Sequence, residues 1–232
     1  VYNTAVGHSA GTAVTTGIQN TLIGGLAGDA LTTGFSNILI GYHVGTHAVN
    51  LTTGAYNTVV GTFADVGAAD GENTNVFGYN VSGAEGYTTI GIATSDIRAA
   101  HGNVTWATVS DERYKKDIVD STAGLSFINA LQPRTFKYKT LGELPETFRA
   151  YEADSTEVFK NSNTNHGFIA QEVKAAIDAD SSIKDGFKLW DDREDGSQEV
   201  AETALIPILV KAIQEQNALI EALTARVTEL EG

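Results

Sequence analysis

A serine and a lysine five positions apart stand in the short charged stretch 110–118, SDERYKKDI. A serine hydroxyl is a poor nucleophile until a base takes its proton. A lysine can take that proton only when it is uncharged, which requires burial or a neighbouring cation to lower the pKa of an ordinary lysine from about 10.4. Arg113 and Lys116 beside Lys115 supply such cations. The pair Ser110 and Lys115 therefore predicts a point at which the chain is cut by its own nucleophile.

The spacing of these two residues does not by itself form a site. Residues five apart lie on opposite faces of a strand and about 140° apart around a helix. A turn must therefore fold Lys115 back to Ser110, or another subunit must supply the partner. The alternative interpretation is that Ser110 caps a helical turn, whose acidic first residues Asp111 and Glu112 suit the helix dipole. Residues 103–109, NVTWATV, predict a strand that leads to this point.

The sequence changes character at Ser110. Residues 1–109 hold 18 of the 24 Gly and only seven charged residues, whereas residues 110–232 hold 37 charged residues. Such a difference predicts two domains, 1–109 and 110–232. The net charge of −14 argues against nucleic-acid binding, which requires a basic face. Because the chain has no Met and starts within a repeat, we expect it to be the C-terminal part of a longer protein.

Other classes of site and partner are disfavoured by composition. The chain has no Cys, so its chemistry involves neither disulfides nor thiols. No apolar run approaches the roughly 18 residues of a membrane helix, so we expect no membrane insertion. His43 and His47 are four apart in Gly-rich β sequence rather than on a helix face, and we predict no metal site there.

A short unit recurs through the first domain and ends each time in Gly. Its copies are Asn3–Gly7, Asn20–Gly24, Asn37–Gly41 and Asn57–Gly61, with weaker copies at Thr74–Gly78 and Thr88–Gly91. A Thr-Thr-Gly triplet precedes the second, third and fourth Asn by three residues. Gly permits tight corners, and β-branched residues suit the short strands between them. A coil of 17 residues cannot close its own core, so the coils must stack. The pattern predicts a mainly β domain, a β-solenoid or β-roll.

These repeats resemble the head repeats of trimeric autotransporter adhesins and the shafts of phage tail fibres. The resemblance implies a homotrimer with an elongated surface that contacts a glycan or protein of a host cell. The alternative is a rigid spacer, because periodicity reports architecture and not ligand. An enzyme acting on surface glycans would need two carboxylates across a cleft, and within residues 1–109 Asp70 and Glu72 are the only close acidic pair. We therefore disfavour that activity.

The second domain also carries a resemblance. Its start, Ser-Asp-x-Arg-x-Lys-x-x-Ile, resembles that of the C-terminal intramolecular chaperone domains of phage tailspikes and fibres, best known from endosialidase tailspikes and shared with the myelin regulatory factor. Residues 125–138, LSFINALQPRTFKY, match the helix and Pro-x-x-Phe-x-Tyr strand of that family. Residues 166–173, HGFIAQEV, match its Gly-Phe-Ile-Ala-Gln-Glu-Val signature, and residues 204–215 match its terminal helix. The elements follow one another in the family's order, which predicts an α+β chaperone domain over 110–232.

The resemblance implies a self-cleaving serine endopeptidase that acts once and needs no cofactor. Ser110 is then the nucleophile, Lys115 its base, and Val109–Ser110 the bond that is cut. Cutting in the assembled trimer would free residues 110–232 from the mature fibre. Whether the attack stays within one chain or crosses between subunits is left open. The alternative is a structural or receptor-binding tip in which the motif is present and the chain never cuts.

The same resemblance suggests supporting residues and a place of action. Asp111 and Arg113 belong to the motif, and Asp111 is expected to position the turn. Gln171 and Glu172 are candidate supporting residues, although a Gln-Glu pair at a helix start can be purely structural. The implied location is the tail fibre of a virion, made in the host cytoplasm and extracellular once assembled.

The C-terminal segment carries a heptad pattern. Pro207 is tolerated only in the first turn of a helix, so the helix is expected to start near Thr203 and to run to about residue 231. The a positions are Ile206, Ile213, Ile220 and Val227, and the d positions are Leu209, Gln216, Leu223 and Leu230. This spacing favours an interchain coiled coil over a helix packed on its own domain. Dimer and trimer remain open from the pattern, and the resemblance favours a trimer.

One acidic segment, residues 191–202, has the offsets of a calcium-binding EF-hand loop. Arg193 occupies a position that should carry a ligand oxygen, and the flanking residues are typical of strands rather than helices. Asp-Gly at 195–196 is also a strong hairpin signal. We therefore predict a β-turn here and no metal site.

Overall fold

The computed structural model describes residues 2–181, 183 and 187–232. The chain forms two compact units, Val1–Lys116 and Asp117–Gly232. Ser110 and Lys115 thus both belong to the first unit, whereas the composition places the domain boundary between Val109 and Ser110.

The first unit is a β-solenoid, as the repeats predict. Its one seven-stranded sheet follows the order of the chain. Six short strands pair in parallel, and the sixth continues into an antiparallel hairpin with the seventh. The strands are Thr4–Val6 (β1), Thr21–Ile23 (β2), Ile38–Ile40 (β3), Thr58–Val60 (β4), Asn75–Tyr79 (β5), Tyr87–Ile92 (β6) and Ser95–Ala100 (β7).

From β2 to β5 the residue in the middle of each repeat triplet points into the coil and stacks on its neighbours. Leu22 pairs with Leu39, Leu39 with Val59, and Val59 with Val76, and all four are buried. The Gly that follows each triplet turns the corner. Gly24, for example, has a φ of 130°, and a Cβ there would overlap the backbone of Gly41 in the next coil. This close stacking explains why the triplets end in Gly.

The repeated Asn side chains form a ladder inside the solenoid. Asn37 Nδ2 donates to Asn20 Oδ1 at 3.0 Å and to the Gly54 carbonyl oxygen at 2.9 Å. Its Oδ1 in turn accepts from the backbone N–H and the side-chain amide of Asn57 at 3.1 and 2.9 Å. Each Asn thereby ties three coils together at a buried position. Gly54 ends the Thr-Thr-Gly triplet that lies three residues before Asn57. Asn37 bonds to both Gly54 and Asn57, which explains the constant spacing between the triplet and the Asn that follows it.

The second unit has mixed α and β content. Its helices are Leu125–Ala130 (α1), Ala170–Ala179 (α2) and Ile206–Glu231 (α3). Its strands are Arg134–Phe136 (β8), Asn165–Gly167 (β9), Trp190–Asp192 (β10) and Gln198–Val200 (β11). β8 pairs with β9 and β10 with β11, both antiparallel. The core joins α1, α2, the start of α3 and the β10–β11 hairpin, and contains Phe127, Leu131, Val173, Ile177, Leu189 and Ile208.

Two local predictions in this unit are confirmed. A helix at 125–130 is followed by a strand at 134–136, as the family resemblance implies. The acidic segment after Trp190 forms the β10–β11 hairpin, with Gly196 at a φ of 81° in its turn. In this turn Asp195 Oδ1 accepts from the N–H and the hydroxyl of Ser197.

Helix α3 begins at Ile206 with Pro207 in its first turn, after a 3-10 turn at Glu202–Leu205. This agrees with the start expected near Thr203. The helix packs on its own unit through Leu205, Ile208 and Ala212, which are buried. The a and d residues of the heptad lie elsewhere on the helix surface. In the part of the chain that the structure describes, no helix is long and apolar enough to cross a membrane.

Candidate functional site

The segment before Ser110 is held along the outer edge of β7. After β7 the chain turns at Gly102, with a φ of 80°, and the Asn103 N–H donates to the Ala100 carbonyl at 3.0 Å. The returning chain meets Arg98 at Ala107, where the two backbones exchange N–H···O bonds of 2.8 Å each. The strand predicted at 103–109 is therefore reduced to one antiparallel pair with β7.

A short 3-10 turn, Glu112–Tyr114, follows Ser110. Asp111 caps it, with Oδ1 accepting the backbone N–H of Arg113 at 2.9 Å. The Arg113 guanidinium also donates to both oxygens of Asp111, at 2.9 and 2.7 Å. Ser110 does not cap this turn, contrary to the alternative interpretation of the sequence. Asp111, directly before the turn, takes that place, and the serine hydroxyl is left for another partner.

That partner is Lys115. Its Nζ donates to Ser110 Oγ at 2.7 Å. The two residues are five apart, and the turn between them supplies the fold-back that the sequence required. A hydroxyl and an amine at this distance can exchange a proton, which is the first need of a serine nucleophile. Both residues are exposed to solvent in the single chain.

The charges around the pair are fixed by the Asp111–Arg113 contact. The guanidinium of Arg113, and then its backbone N–H, hold the pKa of Asp111 below its usual range. Asp111 in turn raises the pKa of Arg113. Asp111 is thus anionic and Arg113 cationic throughout the neutral range. The Asp111 carboxylate therefore has Arg113 as its hydrogen-bonded partner, and it also interacts electrostatically with Lys115.

An open cavity of about 870 Å³ lies beside the Val109–Ser110 bond. Val109 and Tyr114 form one wall, and Ile90, Ile97 and Ser95 of the last hairpin form another. The two walls belong to the same unit, so the cavity is a property of the first unit alone. Water can reach the bond from this side.

Residues 110–181 match the family described as chaperone of endosialidase, a peptidase family. The match starts at Ser110, the residue that the lysine contacts. It supports a chaperone domain in the second half of the chain and, in general terms, the self-cleaving activity of that family. No curated protein and no solved structure matches the chain.

The two other candidate residues lie in the second unit. Glu172 is in the first turn of α2 and accepts from the guanidinium of Arg134 at 2.9 and 2.7 Å. This contact lowers the pKa of Glu172. Gln171 is exposed beside it. The structure gives Glu172 a partner that fastens α2 to β8, the strand that starts at Arg134, which is a structural role.

The histidines of the repeats do not form a metal site in the described residues. The rings of His43 and His47 lie 5.5 Å apart between centroids, and His47 packs on Phe63 at 4.3 Å. Within the described ranges, no group of three His, Cys, Asp or Glu side chains is placed to hold a metal ion.

Sequence reasoning missed the contacts that hold the chain just before Ser110. Thr108 meets Asp96, and Ala107 pairs with Arg98, only because the chain reverses at Gly102. The Gly102-Asn103 pair was the available signal, since such a pair is typical of a tight turn.

Proposed function

We propose that residues 110–232 act as an intramolecular chaperone for a trimeric β-structured fibre and then separate from it by cutting the Val109–Ser110 bond. The observation that carries the proposal is the 2.7 Å contact from Lys115 Nζ to Ser110 Oγ, at the residue where the family match begins. Ser110 is the nucleophile and Lys115 its base. Asp111 and Arg113 hold the turn that joins them.

The chemistry proceeds in two steps with no cofactor. Uncharged Lys115 takes the proton of Ser110 Oγ as that oxygen attacks the carbonyl carbon of Val109. The Val109–Ser110 C–N bond breaks, the lysine gives the proton to the Ser110 nitrogen, and an ester joins Val109 to Ser110 Oγ. Water then attacks the ester, leaving a carboxylate on Val109 and returning a proton to Oγ. Because the Ser110–Lys115 contact lies within one chain, we assign both steps to a single chain.

Solvent exposure of the pair ties the reaction to assembly. A lysine is a base only in its neutral form, and burial favours that form. In the single chain, both side chains are exposed to water. A neighbouring copy that covers the turn would remove that water. We therefore place the cut after trimer formation.

The surface of α3 supports assembly between copies. Its apolar a and d residues are exposed in the single chain, from 41% at Leu209 to 74% at Leu230. The helix packs on α1 with other positions, so this seam is not used within the chain. A seam of heptad spacing over the length of α3 fits a coiled coil, in which each seam residue inserts between residues of the facing helices.

A second apolar column runs along the outside of the solenoid. The third residue of each parallel triplet faces outward, and the register aligns them as Val6, Ile23, Ile40, Val60, Phe77 and Ile90. Val6, Ile23, Phe77 and Ile90 are exposed, and the other two are half-buried. A continuous exposed apolar column marks an interaction surface. In a trimer it would pack against the same column of its neighbours.

The proposed location is the tail fibre of a virion, with residues 1–109 presented to a host-cell glycan or protein. The likeness of the repeats to adhesin heads and fibre shafts supports this placement. The second candidate function is a structural or receptor-binding tip that is never cut. Ser110 and Lys115 are exposed in the single chain. If they stay exposed after assembly, the uncut tip is the favoured function.

Lys115→Arg tests the proposal against its nearest alternative. Arginine keeps the cation and the reach to Ser110 but does not become neutral at accessible pH, so it cannot act as base. We expect the Lys115→Arg chain to assemble and to stay uncut on a denaturing gel. Lys116→Arg is the matched control and should be cut like the parent. If Lys115→Arg were cut at the normal rate, Lys115 would not be the base that activates Ser110.

A further inference from the structure

Residues upstream of the cut point make contacts that no role assigned so far requires. Thr108 Oγ1 donates to the Asp96 carbonyl oxygen at 3.1 Å, across from the start of β7. One residue earlier, Ala107 and Arg98 exchange two backbone hydrogen bonds. The last residues before Val109 are therefore fastened to the solenoid by three hydrogen bonds in succession.

The pattern of an antiparallel ladder shows what Thr108 does. Hydrogen-bonded pairs alternate along such a ladder, so the pair after Arg98 and Ala107 would be Asp96 and Val109. In that pair the Asp96 carbonyl would accept from the Val109 N–H, and the Asp96 N–H would donate to the Val109 carbonyl. The Asp96 carbonyl instead accepts from the Thr108 hydroxyl, and neither backbone bond of that pair forms. Within the part of the chain that the structure describes, the peptide groups of Val109 have no hydrogen-bond partner.

We propose that Thr108 is a positioning residue for self-cleavage, which ends the pairing with β7 one residue before the cut so that the Val109 carbonyl stays available to Ser110. The proposal rests on the proposed function and adds an upstream half to its site. On the downstream side, the Asp111 cap holds Ser110 and Lys115 together. On the upstream side, the β7 edge holds the chain extended, and the Thr108 hydroxyl stops the ladder.

The availability of that carbonyl matters for the chemistry. A carbonyl bonded to a strand N–H is held in the plane of the sheet and cannot leave it as its carbon becomes tetrahedral without losing that bond. A near-attack geometry also needs the nucleophile about 3 Å from the carbon. Releasing Val109 from the ladder permits both movements. The cavity between Ser95 and Tyr114 leaves room for them and for the water of the second step.

The test compares three single substitutions in the full-length chain. Thr108→Val keeps the shape and removes the hydroxyl, and Thr108→Ser keeps the hydroxyl. Thr105→Val is the control, because Thr105 Oγ1 donates to Asn103 Oδ1 within the same segment and not to β7. Each chain is made by pulsed cell-free synthesis, and the loss of full-length band is followed on a denaturing gel. Trimer content is followed in parallel on a native gel.

We expect Thr108→Val to be cut about five- to tenfold more slowly, the effect of one neutral hydrogen bond on a rate. Thr108→Ser should restore the parent rate, Thr105→Val should match it, and all should form trimers equally. Cutting of Thr108→Val at the parent rate would overturn the positioning role, as would equal slowing by Thr105→Val. Ser110→Ala in the same experiment separates the two proposals. If it is still cut, the proposed function fails, and if it is uncut while Thr108→Val is normal, only the positioning role fails.

Discussion

Arg113 contacts both carboxylate oxygens of Asp111, and Asp111 caps the turn that returns Lys115 to Ser110. The two residues therefore act on the chemistry through the geometry of the turn and not by touching the reacting atoms. An exposed ion pair contributes little to stability in general. Here the ion pair matters because it holds the turn, and the 2.7 Å contact between Lys115 Nζ and Ser110 Oγ depends on that turn.

Asp111→Ala is expected to slow cutting about fivefold without preventing assembly. Loss of a cap costs about 1 kcal/mol, and that cost falls on the turn that Lys115 needs. Pulsed synthesis with a denaturing gel measures the rate. Glu112→Ala is the control, since Glu112 is the neighbouring exposed carboxylate and does not cap the turn. Equal effects of the two substitutions would show that the charge of the segment matters and the cap does not.

Asp195 gives the second unit a pH-dependent contact in the β10–β11 turn. Hydrogen bonds from the Ser197 hydroxyl and N–H, and from the Arg149 N–H, lower the pKa of Asp195 to about 2. A folded-state pKa below the unfolded value means that this contact stabilises the fold above about pH 4 and is lost as the pH falls toward 2. Asp195→Ala should therefore lower the melting temperature at pH 7 and have little effect near pH 2. A difference that persists unchanged at pH 2 would contradict this assignment.

Much of the cut site could be predicted from residue types, and its geometry could not. The need for a turn follows from spacing, and the roles of Ser110 and Lys115 follow from the family resemblance. That Asp111 rather than Ser110 caps the turn is decided by a competition between two adjacent side chains, which composition does not resolve. The contact of Thr108 with Asp96 joins residues twelve apart through a reversal of the chain, and no local pattern reports it.

At the scale of elements, the solenoid is held by a polar ladder as well as by its apolar core. The spacing of Asn and Gly predicted coils that stack, and the structure confirms them. The direction of the Asn side chain was not predictable, because Asn at a tight corner is as often outside, facing water. Asn20, Asn37 and Asn57 are instead buried, and each is satisfied by its neighbours.

Asn37→Ala should destabilise the repeats by about 3 kcal/mol or more, because it leaves buried groups of Asn20, Gly54 and Asn57 without partners. Asn3→Ala is the matched control. Asn3 occupies the same ladder position but is exposed at the end of the stack, so its loss should cost much less. Urea unfolding of the full chain, followed by circular dichroism, measures both. Equal losses would show that the ladder does not depend on burial.

At the scale of the whole molecule, three exposed features bear on the proposed link between assembly and cutting. The seam on α3 and the column on the solenoid are apolar surfaces that the single chain leaves in water. The Ser110–Lys115 pair, which we propose as the catalytic pair, is also exposed to water in the single chain. Association of copies would bury the first two, and we infer that it also covers the third.

Ile220→Asp tests the seam on α3. A charge at an a position would be buried in a coiled coil, so we expect a shift from trimer to monomer in sedimentation and a loss of cutting. Ala218→Asp adds the same charge at an f position of the same helix and should leave the trimer intact. If a monomeric Ile220→Asp chain were still cut, cutting would not require assembly. The Ser110–Lys115 pair of a single chain would then be sufficient.

The most direct test of the central claim is the intact mass of freshly synthesised protein, measured for the parent chain and for Ser110→Ala. We predict that the parent gives two masses, those of residues 1–109 ending in a free Val109 carboxylate and residues 110–232 beginning with a free Ser110 amine. Ser110→Ala should give one mass, that of the full chain. A single full-length mass for an assembled parent trimer, or fragments from Ser110→Ala, would contradict serine-dependent self-cleavage at this bond.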